Sequence, residues 1–164
     1  MIDKLAAAAL LLASQGASEA GQCIPRGAAG QMAAALVPSL IDALSARCAS
    51  QLPAGAFLGN GSRAMAERLR SETAAIRDQA VSGILELSGQ PATPGEGQDP
   101  DQLLATLAAG FTAALDPVQC RSASELLEAL SPLPAQNLAQ MFGAMVTVAA
   151  AAAGDEDAPA ICAE

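Results

Sequence analysis

The chain has no histidine, no tryptophan and no tyrosine, and its single lysine is Lys4. Each absence removes a class of chemistry. Without histidine there is no Ser-His-Asp or Cys-His arrangement, no H-E-x-x-H zinc site and no histidine-held haem. Without tryptophan or tyrosine there is no indole to stack on a sugar and no phenol to serve as an acid. A Schiff base would have to form on Lys4, at the extreme start of the chain.

Basic residues are also scarce, eight against seventeen acidic ones, for a net charge of -9. Arg63, Arg68, Arg70 and Arg77 are interleaved with Glu67, Glu72 and Asp78, so no basic cluster forms. Polyanions are held by neutralising their phosphates. Nucleic acid is therefore not an expected partner, and neither is an anionic membrane surface. Long apolar runs are missing as well. Leu5–Ala13 has nine apolar residues, and Met141–Ala153 has thirteen with only Thr147 polar. A bilayer span needs about 20, so no transmembrane span is expected.

The Leu5–Ala13 run follows Lys4 and gives way to small and polar residues from Ser14 to Ala20. A charged start, a short apolar centre and a small-residue exit are the parts of a secretory signal peptide. Ser18-Glu19-Ala20 suits cleavage after Ala20. Residues 1–20 are accordingly expected to be the signal, and residues 21–164 a single helical domain in the periplasm or outside the cell. The competing reading is a first core helix, which would need burial on every side because the run has no polar face.

Four cysteines remain after that cut: Cys23, Cys48, Cys120 and Cys162. In an oxidising compartment an even count reads as two disulfides. No C-x-x-C pair is present, and the scattered spacing does not suit a zinc site. No metal and no cofactor is expected.

Hydrophobic residues make up 52% of the chain, but aromatics only 2%. Much of the apolar content is alanine, which favours helix yet contributes little area per residue. The reading is all-α: a compact bundle of about five helices with a thin, close-packed core, stapled by two disulfides.

The first helix carries Met32, Leu36, Leu40 and Leu44 at four-residue spacing, from about Ala28 to Ala49. Pro38 lies inside it and is expected to kink it. Such a helix is about 30 Å long, whereas bonded cysteines need Cα atoms within about 7 Å. Cys23 and Cys48 at its two ends then cannot pair. This leaves 23–120 with 48–162, or 23–162 with 48–120. If Pro38 were a true corner, 23–48 with 120–162 would return.

Pro53–Ser62 reads as a turn region, with Ser62 as the cap of the next helix. Arg63 to about Leu87 reads as one helix with a stripe of Met65, Leu69, Thr73, Ile76, Ala80, Ile84 and Leu87. Glu72 sits at the shoulder of that stripe and is expected to bridge to Arg68 at i,i+4. Gln90–Gln98 is a loop. Asp99-Pro100 opens a helix with an apolar face of Leu103, Leu104, Leu107, Phe111 and Leu115. Ser122–Glu125 has capping-box form and is expected to open a short helix with Leu126, Leu127 and Leu130. The last helix, about Ala135 to Ala153, is the most apolar and is expected at the centre of the bundle; the alternative is that part of it faces a partner or an apolar ligand.

No catalytic, cofactor-binding or metal-ligating residue stands out. The expected function is an exported helical protein-interaction module (an assembly factor, inhibitor or accessory subunit) without catalytic activity. One alternative is a carrier of an apolar small molecule or acyl chain, held near Met141, Phe142, Met145 and Val148. Another is a carboxylate-dependent hydrolase using acidic pairs such as Asp99/Asp101 or Asp155/Asp157, although these read better as a helix cap and a solvated exit.

Overall fold

A computed structural model describes residues 23–87, 99–153 and 161–162. The expected signal segment, the Gln90–Gln98 loop and the Asp155/Asp157 pair lie outside them. The described residues form seven helices and one two-residue strand pair. The elements are β1 (Ile24–Pro25), α1 (Arg26–Cys48), α2 (Phe57–Asn60), α3 (Ser62–Thr73), α4 (Arg77–Leu87), α5 (Pro100–Thr112), α6 (Pro117–Leu130), α7 (Ala135–Ala153) and β2 (Ile161–Cys162). β1 and β2 pair in parallel, Ile24 opposite Ile161 and Pro25 opposite Cys162.

α1 is the axis of the molecule, a place expected for α7. Pro38 is buried within α1 and does not end it. The helix is therefore about 34 Å long, and its cysteines pair elsewhere. Cys23 bonds Cys162, and Cys48 bonds Cys120. This is one of the two pairings that an unbroken first helix permits. Among the described residues α1 is also the one helix long and apolar enough to cross a membrane by length and composition. In the bundle that apolar surface meets helices on several sides. Val37 and Ile41 enter a large core with Leu58, Met65, Leu69, Leu127 and Leu138, and Leu36 packs against a smaller one of Val81, Leu85 and Leu104. Gln31, Asp42 and Arg47 lie on its exposed positions.

α7 runs antiparallel to α1 at very close range. Gly30 lies against the Ala139 carbonyl, and Gly143 lies against the Arg26 carbonyl. A Cβ on Gly30 would stand 2.1 Å from the Ala139 oxygen, so glycine is what allows the two backbones to meet.

Four expectations need correction. The helix read as Arg63–Leu87 is two, α3 and α4, separated by a turn at 74–76. The Thr73 hydroxyl donates to the Leu69 carbonyl (2.8 Å) at the break, a back-bond that bends helices. Beyond it α4 buries Ala80, Val81 and Leu85, leaving Leu87 exposed. The two segments thus serve different cores. Second, Ser62 is not a cap. It lies within α3, where its hydroxyl donates to the Leu58 carbonyl (2.7 Å) and accepts from Ser45 (3.0 Å).

Third, the Pro53–Ser62 region contains the one-turn helix α2. Ala56 N–H donates to the Pro53 carbonyl, and Gly55 has φ +100°, as a type II turn requires at its third residue. Leu58 is buried, and its N–H donates to the Ser124 hydroxyl. Fourth, Ser122 opens nothing. α6 begins at Pro117 behind a full capping box of Asp116 and Gln119. The Asp99 cap is present as read: its carboxylate accepts from Asp101 N–H (2.9 Å) with Pro100 at the start of α5.

Candidate interaction surface

α7 has no charged residue in its nineteen. Its first half is held at both ends. At the start, Glu72 on α3 accepts from Ala135 N–H (2.6 Å) and from Arg68 (2.9 Å). Arg68 in turn donates to the Leu133 and Ser131 carbonyls. The shoulder glutamate does bridge to Arg68, and it also caps α7 from a different helix. Three charge-assisted bonds therefore close the turn between α6 and α7 onto α3. Further along, Leu138 is buried, and Met141 and Phe142 pack partly against the main core.

Past Gly143 the situation changes. Gly143 already faces Arg26, the first residue of α1, so the next ten residues have no α1 residue left to face. They extend about 15 Å. Met145 is 58% exposed, Val148 69% and Val146 36%. Ala149, Ala151 and Ala152 are exposed too. At 100° per residue these positions surround most of the helix. A segment apolar on all sides is ordinarily buried, and contiguous exposed apolar surface marks a contact site. The only polar side chain in it, Thr147, donates to the Gly143 carbonyl (2.8 Å).

The four residues expected near an apolar ligand thus divide. Met141 and Phe142 face the core, and Met145 and Val148 face outward. They do not line one enclosed space. The exposed apolar residues the sequence did not single out are Val146 on α7, Phe111 on α5, and Val118 and Leu126 on α6. Phe111 and Leu126 belong to stripes read as buried. α5 in fact buries Leu104, Ala108 and Thr112, a face rotated away from Phe111. Small residues at 108 and 112 gave no signal of burial, because their role is to let helices approach.

Two of the described carboxylates are held in ion pairs with arginines of other helices. Asp101 pairs with Arg77 (3.1 Å) and Asp42 with Arg70. Both acids border a cleft of about 470 Å³ between α1, α3 and α5, along with Ser39, Ala43, Ala105 and Ala109. Among the described residues no three acidic or cysteine side chains are grouped to hold a metal ion.

The Ala135 N–H and the Arg68 guanidinium hold the Glu72 carboxyl below the usual glutamate range, with the backbone bond the larger cause. A carboxylate whose folded pKa is lowered contributes stability above its unfolded pKa and loses it as pH falls through the folded value. Glu72→Ala is expected to lower the unfolding free energy at pH 7 by about 1 kcal/mol, the usual worth of a helix cap. The gap from wild type should narrow as pH falls from the ordinary glutamate range through the lowered folded value. Urea unfolding in a series from pH 7 downward checks both statements.

No family model, no curated protein and no solved structure matches this chain.

Proposed function

We propose that the protein is an exported helical interaction module whose contact element is the distal half of α7, residues 144–153, and whose partner is another protein presenting an apolar surface. The observation that carries this is the exposed apolar surface beyond Gly143, with Met145 and Val148 more than half exposed on a helix without charge. Net charge of -9 argues for a protein partner over an anionic lipid surface or nucleic acid. Two disulfides support export, since such bonds persist in oxidising compartments. The apolar run behind Lys4 supports it independently. The outward direction of Met145 and Val148 favours a contact surface over a carrier cavity.

A photo-crosslinking residue at Val148, introduced in the native host, should yield one discrete protein adduct. The same residue at Glu86, exposed on α4, should not. Met145→Asp should sharply reduce the adduct formed from position 148, and Met145→Asp combined with Val148→Asp, without a crosslinker, should weaken the partner at least about tenfold, the scale of placing charge in an apolar contact. Both side chains are exposed, so the midpoint of thermal unfolding should stay unchanged. Absence of an adduct at Val148, or equal labelling from Glu86, overturns the reading.

A further inference from the structure

The two disulfides occupy opposite environments. Cys48 and Cys120 are both 0% exposed and belong to the main core. Cys23 is exposed and Cys162 half-buried, at the end of the molecule where α1 begins. Among the described residues, Cys162 is held there by the bond itself and by the β1–β2 pairing. That pairing is two residues long, and one of the two on β1 is Pro25, which has no N–H to donate. A two-residue parallel pairing is marginal by itself. The bond between Cys23 and Cys162 is therefore what keeps β2 beside β1, whereas Cys48–Cys120 joins two helices that are also held by packing.

We infer that Cys23–Cys162 is a redox-operated clasp, opened by a dithiol reductant while Cys48–Cys120 stays closed and the helices stay folded. A thiolate of the dithiol attacks Cys23, the more accessible sulfur, forming a mixed disulfide and expelling Cys162 as a thiolate that takes up a proton. The second thiol of the reductant then displaces Cys23 and closes its own ring. Two electrons and two protons pass to the protein, giving two cysteine thiols, and the dithiol becomes a disulfide. Opening leaves β2 joined to β1 by their two-residue pairing alone. The device goes beyond the proposed contact function and does not depend on what binds α7.

The test is graded reduction of the purified oxidised protein with dithiothreitol, alkylation of free thiols, and peptide mass mapping beside far-ultraviolet circular dichroism. Cys23 and Cys162 should be labelled on the order of 100-fold faster than Cys48 and Cys120, because a buried bond reacts only when the fold opens. Helical signal should not change during that first phase. The Cys23→Ser/Cys162→Ser protein should keep the same helicity with no reductant present. Simultaneous appearance of four thiols, earlier reaction of Cys48–Cys120, or loss of helicity with the first pair would each overturn the clasp.

Discussion

Replacing Cys48 and Cys120 together by alanine should lower the unfolding free energy by about 4 kcal/mol, the chain-entropy value for a loop of this length. The bond spans 72 residues and ties the last residue of α1 to α6 inside the main core. For a domain of this size the thermal midpoint should fall on the order of 10 °C. Removing Cys23 and Cys162 should have the smaller effect, although that bond closes a loop of 139 residues. Loop entropy alone would favour the longer one by about 0.6 kcal/mol. That argument assumes both ends remain in place in the folded state once the bond is gone. At Cys48 and Cys120 they do, because Ile41, Leu58, Leu127 and their neighbours hold the helices. At Cys162 they do not, so the folded state regains freedom along with the unfolded one. Thermal unfolding of the two double variants, each with its other bond intact, decides the order. A larger drop for the Cys23/Cys162 variant would mean that the tail is fixed by more than sulfur.

Gly30→Ala should be the most damaging glycine-to-alanine change among the described residues. The new carbon would sit 2.1 Å from the Ala139 oxygen and 3.0 Å from its carbonyl carbon. Both atoms are backbone, and no side-chain rotation can relieve the clash. The two helices must move apart, and overpacking of this kind costs about 1–3 kcal/mol or more. Alanine's better helix propensity returns about 1 kcal/mol. A net loss of about 2 kcal/mol is expected, read as a shift in the urea midpoint with unchanged slope. Gly27→Ala, one turn earlier on the same helix, is the matched control. A methyl there meets nothing within 4 Å. It should be neutral or stabilising by up to about 1 kcal/mol. If the two variants behave alike, the close crossing of α1 and α7 is not what stabilises this bundle.

Local signals carried some of this architecture and failed at identifiable places. Asp99-Pro100 announced α5 because the cap and the first helical residue are adjacent in the chain. Asp116-Pro117 is the same device with Gln119 completing it, yet the capping-box form at Ser122–Glu125 competes with it as a start for the same helix. The break at 74–76 has no glycine or proline to mark it. It exists because α4 turns to a second core, which is a fact about neighbours. Glu72 carried a correct local expectation, the i,i+4 bond to Arg68. Its bond to Ala135 joins positions 63 residues apart, and no pattern along α3 encodes it.

By itself the sequence determined the helical class, through four-residue apolar spacing and abundant alanine. It also narrowed the disulfides to two pairings once the first helix ran through Pro38, because a rigid rod about 34 Å long holds its ends apart. Only the tertiary structure decided which pairing formed, which helix became the axis and which apolar side chains stayed in water. Periodicity defines a face but not what covers it. The apolar run from Met141 to Ala153 is continuous in sequence, yet Met141 and Phe142 pack against the main core and the ten residues after Gly143 extend past the end of α1, because the two helices meet at Gly30 and Gly143.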